Sequence, residues 1–154
     1  MTEDGLWSMI RVARSAMDLS LDPNDVDADL ANFPEAVRNV VCVLRCDSEV
    51  CNGGIHQFLY NHSGVLAPGA VTGLVAIGRL DLARLLQASM DKLGGEYPRD
   101  TEDRREIMYE MEELLSELRA LDSDYFRLAG TPFEAAAEES LSDSVSRYVR
   151  ENSE

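Results

Sequence analysis

A chain of 154 residues, 45% of them hydrophobic, is long enough for one domain with its own core, which excludes disorder of the whole chain. With 29 acidic against 14 basic side chains the formal net charge is −15, which excludes nonspecific binding to nucleic-acid phosphates. No run approaches the roughly 18 consecutive apolar residues that cross a bilayer, and Met1-Thr2-Glu3-Asp4 lacks the basic start of a secretion signal, so a soluble cytoplasmic protein without membrane contact is expected.

Apolar spacing predicts helix along nearly the whole chain. Leu6, Ile10, Ala13 and Met17 share one face of a first helix that ends before a turn at Asp22-Pro23-Asn24-Asp25. Pro34 suits the first turn of a second helix with Phe33, Val37, Val40, Val41 and Leu44 on one face. The β-branched run Val40 to Val43 also fits a buried strand, but the three-and-four spacing continues on both sides of it and favours helix.

Ser48 or Asn52 can cap the next helix, whose apolar face is Ile55, Phe58 and Leu59 and which stops at Ser63-Gly64. Pro68 opens another, through Val71, Leu74, Val75 and Ile77 to Gly78, and Leu80 to Leu93 forms one closed by Gly94-Gly95. A longer helix is expected from about Thr101 to Leu121 with Ile107, Met111, Leu114, Leu118 and Leu121 as its buried stripe. A short segment, Asp124 to Leu128, a break at Gly130-Thr131-Pro132 and a last helix from Glu134 toward Arg150 complete the chain. The expected fold is all-α, a single compact domain over residues 1–154 with six or seven helices.

Charge divides this domain into three parts. Residues 1–29 carry a net −5, residues 30–99 are neutral and residues 100–154 carry −10. A neutral centre is framed by two acidic arms, and a basic protein is the natural partner. On the long helix, Glu102, Glu106, Glu110, Glu113 and Glu117 fall within a narrow arc on a face beside the buried stripe. Four-residue steps place charges about 6 Å apart along the axis, a spacing comparable with that of backbone phosphates.

Acidic helix faces are usually plain solvated surface. Here the residues four positions after Glu102, Glu106, Glu110 and Glu113 are Glu106, Glu110, Leu114 and Glu117, so the lysines or arginines that would stabilise such a helix are missing. Glu134, Glu138, Glu139 and the acids from Asp22 to Asp29 are secondary contributors to the same acidic surface.

The neutral centre holds two adjacent glycines, Gly53 and Gly54, inside a helical pattern, where each costs about 0.5 to 1 kcal/mol relative to alanine. Asn52, Gln57 and Asn61 surround them. The glycines are expected to admit a neighbouring helix closely while the amides satisfy backbone groups orphaned at the break. An enzymatic reading would place a concave pocket around Asn52, His56, Gln57 and Asn61. No phosphate-loop, nucleophile-elbow or zincin pattern supports catalysis, and no cofactor is expected. Cys42, Cys46 and Cys51 with His56 and His62 lack paired metal-ligand spacing, so buried small hydrophobes are the expected role and no metal is assigned. A Cys51/His56 nucleophile pair has no visible third group.

Glu49-Val50-x-Asn52-Gly53-Gly54-x-x-Gln57-Phe58, then Asn61-x-Ser63-Gly64 and Ala76-Ile77-Gly78, resemble the bacterial DNA-mimic protein family, with weaker agreement at Leu121-Asp122-x-Asp124-Tyr125-Phe126 and Arg147-Tyr148-Val149-Arg150. The resemblance covers about residues 35–150. It implies an acidic, all-helical, dimeric protein whose characterised relative occupies the DNA-binding surface of a helix-turn-helix repressor and relieves repression. A non-enzymatic protein that blocks a basic DNA-binding transcription regulator is therefore expected. Alternatives are an immunity protein that neutralises a basic nuclease toxin, and an interaction protein that has lost mimicry. The motif itself is read as structural.

Overall fold

The computed structural model describes residues 1–154 and is all-helical. Eight α-helices, rather than six or seven, follow in chain order: α1 (Glu3–Ala16), α2 (Pro23–Ala31), α3 (Glu35–Tyr60), α4 (Ala67–Ile77), α5 (Leu80–Asp91), α6 (Thr101–Glu110), α7 (Leu114–Ala129) and α8 (Leu141–Glu151), with a 3-10 turn at His62–Leu66 between α3 and α4. No helix is long and apolar enough to cross a membrane.

The centre of the fold is α3. It touches α1, α4, α6 and α7 and carries twelve of the buried positions, including Val37, Val40, Val41, Val43 and Val50. The Val40–Val43 run is helical, since burial on several sides rewards apolar side chains at consecutive helical positions. Gly73 of α4 lies against it so closely that a Cβ there would sit 2.6 Å from the Asn39 carbonyl oxygen. That small-residue contact lets two apolar helices approach closely.

Four boundaries differ from the sequence expectation, the last of them at α8. Asp22-Pro23-Asn24-Asp25 is the start of α2: Asp22 accepts the Asn24 N–H at 2.9 Å and Pro23 occupies the first turn, where its missing N–H costs nothing. Between α3's two halves there is no new cap at Ser48 or Asn52; the helix runs through both to a kink at Gly53 (φ −153°, ψ 15°) and Gly54 (φ 84°, ψ 177°). The expected long helix over Thr101 to Leu121 is two helices, broken at Met111 (φ −96°, ψ 88°), and its second part runs on through the short segment at 124–128.

The break also turns the buried face of α6. Ile107, expected inside, is 37% exposed, whereas Arg104 and Met108 are buried. The phase is set by Arg104, whose guanidinium seeks carbonyl oxygens inside the fold. Leu114 and Leu118 are buried as expected, with Met111 and Leu121 half-buried. Helix α8 begins at Leu141 rather than at the expected Glu134, capped by Ser140 through the Asp143 N–H at 3.1 Å, so Glu134, Glu138 and Glu139 precede it on an irregular segment.

Candidate functional site

The Gly53–Gly54 kink interrupts α3's hydrogen-bond ladder, and the chain satisfies the freed groups from a distance. Asp122 of α7 accepts the Ile55 N–H on Oδ1 at 2.9 Å, capping the second half of α3 from 67 residues away. A Cβ on Gly54 would lie 2.5 Å from the Asp122 Oδ2, and its φ of +84° disfavours any other residue. Gly53 is less constrained: its φ is −153°, and a Cβ would overlap the Gln57 amide, the movable end of a flexible side chain. Close approach of a neighbouring helix, together with its positive φ, is thus the reason for Gly54.

Asn52, Gln57 and Asn61 do not satisfy the orphaned backbone. Gln57 Nε2 and Asn61 Nδ2 both donate to Glu49 Oε2, at 2.8 and 3.2 Å, so the amides hold a carboxylate while Asn52 stays exposed. Backbone relief at the end of α3 comes from Arg104. Its buried guanidinium donates to the carbonyl oxygens of Leu59, of Asn61 at 2.7 Å, of Arg99 at 2.9 Å and of Pro98 at 3.2 Å. Its charge lies 5.8 Å from the centre of the Tyr97 ring, and no carboxylate pairs with it. Burial lowers its pKa, as desolvation of an unpaired cation should.

The remaining motif residues close the same junction. Ser63 Oγ donates to the Phe58 carbonyl at 3.2 Å, Tyr97 donates its hydroxyl hydrogen to the Gly64 carbonyl at 2.8 Å, and a Cβ on Gly64 would meet the Arg104 guanidinium at 2.7 Å. Phe58 is fully buried. The weaker motif blocks tie distant helices to α3: Tyr125 donates to Asp47 Oδ1 at 2.7 Å, and Asn39 donates to the Tyr148 hydroxyl at 3.0 Å. Gly78 is the left-handed C-cap of α4.

Cys51 and His56 share no hydrogen bond. Cys51 donates its thiol to Asp47 at 3.7 Å and burial pushes its pKa up to about 11, while His56 stacks on Tyr60 at 5.9 Å. Cys42 and Cys46 are buried, and no three His, Cys, Asp or Glu side chains converge as a metal site.

The acidic surface is arranged differently from a single ridge. With Arg104 and Met108 pointing inward, Glu102, Glu106 and Glu110 fall about 180° away at 100° per residue, directly opposite the buried face. They project further into solvent than a flanking face would allow. Tyr109, 89% exposed, stands among them. Glu113 and Glu117 belong to the α6–α7 junction and the start of α7.

Cations reach two of the five glutamates. Arg105 contacts Glu102 at 3.4 Å from three residues on, and Lys92 contacts Glu117 at 3.8 Å from beyond α5. Exposed pairs of this kind contribute at most about 1 kcal/mol. Glu106, Glu110 and Glu113 hold no cation within salt-bridge distance and keep their full field.

Of the secondary acids, Glu139 is committed internally: Arg147 and Ser144 hydrogen-bond it and hold its carboxyl below the usual range. Glu134 and Glu138 are exposed. On α2, Asp25 and Asp29 face solvent, whereas Asp27 takes a two-pronged contact from Arg99 at 2.8 Å on each oxygen.

Arg104 was not visible as a structural residue in the sequence, since it sits beside Arg105 in a charged stretch. Asp122 did carry a signal, as part of the weaker block Leu121-Asp122-x-Asp124-Tyr125-Phe126.

Comparison with curated proteins gives no match, and comparison with solved structures gives none. The sequence profile described as DMP19-like protein matches residues 31–152, which span the kink, the Arg104 junction and every helix from α3 to α8. The chain therefore belongs to the family of DMP19-like proteins, the DNA-mimic family.

Proposed function

We propose that this protein binds a basic DNA-binding transcription regulator and covers the surface with which that regulator holds DNA. The observation that carries this reading is the phase of α6: the inward turn of Arg104 and Met108 sets Glu102, Glu106 and Glu110 on the outermost line of the helix, about 6 Å apart along the axis. Like charges at this spacing weaken the helix by a few tenths of a kcal/mol per pair, so stability alone does not account for them. Glu113 extends the unpaired acidic surface past the helix end, and Tyr109 adds an exposed aromatic of the type that anchors protein interfaces. The protein acts in this reading by occupancy, without catalysis, in the cytoplasm. A homodimer, which the family resemblance implies, would present two such faces.

The motif contributes indirectly. Arg104 belongs to α6 and grips α3's terminal carbonyls, so the Asn52–Gly64 junction determines which side of α6 faces outward. Charge reversal at Glu106, Glu110 and Glu113 tests the proposal: it abolishes binding to the regulator while the helical circular dichroism is unchanged. Retained binding places the interface elsewhere.

A further inference from the structure

Beside the Gly53–Gly54 kink lies a hollow of about 340 Å³ with no apolar side chain in its lining; Arg14, Arg45, Glu49, Asn52, Gln57 and Asn61 face it. The volume is at the low end for small-molecule pockets, and the wholly polar lining suits a small, strongly polar ligand. Arg45, Glu49 and Asn61 also line a neighbouring hollow of about 580 Å³, which leaves room for a substituent.

The opposite charges that share this hollow are not paired with one another. Five arginines of this chain hold a carboxylate within 4 Å, namely Arg79, Arg99, Arg105, Arg127 and Arg147. Arg14 and Arg45 are among the eight of thirteen arginines that hold none, although Glu49 shares their hollow. Arg14 donates only to the Ser48 hydroxyl, at 3.3 Å. Arg45 donates one Nη to the Arg14 carbonyl at 2.9 Å, and its Nε is the one buried side-chain polar atom in the protein without a partner. Buried donors are nearly always satisfied, by protein or by ordered water.

Glu49 supplies the opposite charge. Its Oε2 accepts from Gln57 and Asn61, which fixes the carboxylate, and no protein donor reaches Oε1. A simple anion would meet the Glu49 charge and a simple cation would meet two guanidiniums. A zwitterion satisfies both ends: its carboxylate takes the guanidinium edges, and its ammonium donates to Glu49 Oε1.

We propose that this hollow binds a free α-amino acid, with Arg14 and Arg45 on its carboxylate and Glu49 on its ammonium group. The site is separate from the acidic outer face of α6 and does not depend on the role given to that face.

The test is titration of the isotope-labelled full chain, followed by amide NMR, with each of the common free L-amino acids at millimolar concentration and with acetate and methylammonium as half-ligands. At least one amino acid gives saturable shifts centred on Arg14, Arg45, Glu49 and Asn52, and each half-ligand binds about tenfold or more weaker. Arg14→Gln and Glu49→Gln each weaken the amino acid about tenfold or more, and Glu49→Gln retains an acceptor for Gln57 and Asn61, so its melting temperature stays near that of the parent. Absence of saturable shifts from every amino acid overturns the proposal. So does acetate binding as tightly as the amino acids, which would mean an anion site only, or shifts that survive both substitutions.

Discussion

Asp122 and Gly54 are fitted to one another: the carboxylate that caps the Ile55 N–H at 2.9 Å occupies the space in which a Gly54 side chain would lie. Asp122→Ala removes the cap and is expected to cost about 1 to 2 kcal/mol of folding stability, while Asp122→Asn keeps an acceptor and costs less. Gly54→Ala meets both the carboxylate and the positive φ, and costs more than the loss of the cap alone. Urea unfolding of the three variants gives the order; a Gly54→Ala as stable as the parent would contradict this account of the kink.

Arg104 is the second fixed point. Four backbone carbonyls accept from one buried guanidinium, that of Asn61 also taking the Gly64 N–H at 3.0 Å, and each orphaned buried group costs about 1 to 3 kcal/mol. Arg104→Met is expected to destabilise by about 3 kcal/mol or more, and Arg104→Lys recovers only part of it, because an ammonium lacks the guanidinium's planar fork of donors. Because Arg104 also fixes the rotation of α6, Arg104→Lys weakens binding to the regulator more than its loss of stability explains. Denaturation and binding measured on the same variant separate the two effects.

Acid should loosen α2. The Arg99 hydrogen bonds hold the Asp27 carboxyl below its ordinary value, so this group contributes stability that is present above the unfolded carboxylate value near 4 and is lost as pH falls through the folded one. Asp122 and Asp47 work in the other direction: burial raises both, and their ionisation costs stability as pH rises from about 4 through the folded values. Arg99→Gln therefore flattens the fall in stability below about pH 4 without altering the slope above it. Urea midpoints across the acid range, for parent and variant, measure this.

Lys92 is the one lysine of the chain and partly neutralises Glu117. Lys92→Gln is expected to leave stability within about 1 kcal/mol and to strengthen binding to a basic regulator by a few-fold, with the gain vanishing at high salt. A calorimetric titration at two salt concentrations shows it.

Helix content and most of the core were legible because apolar spacing is a local signal. Val37, Val40 and Val41 of α3, Leu6 and Ile10 of α1, and Leu114 and Leu118 of α7 are buried as that spacing predicts. The break at Met111 was not legible. Leu114 and Leu118 continue the spacing of Ile107 and Met111 without a glycine or proline to mark the interruption, and the inward face of α6 is chosen by a charged residue that periodicity counts as surface. The motif was recognisable, but its hydrogen-bond partners come from Asp122 and Arg104, 67 and more than 40 residues away, and no local pattern announces such contacts. The carboxylates were found by composition and spacing; which of them stay free of cations required the fold.

The most direct test of the central claim is a competition measurement with the DNA-binding protein that this chain captures from its native cell. Binding of that regulator to its DNA site, to this protein and to both together is followed over a range of salt concentrations. The account predicts mutual exclusion, with affinity for this protein falling steeply as salt rises and lost on reversing Glu106, Glu110 and Glu113. A ternary complex of regulator, DNA and this protein, or an affinity indifferent to salt, would contradict it.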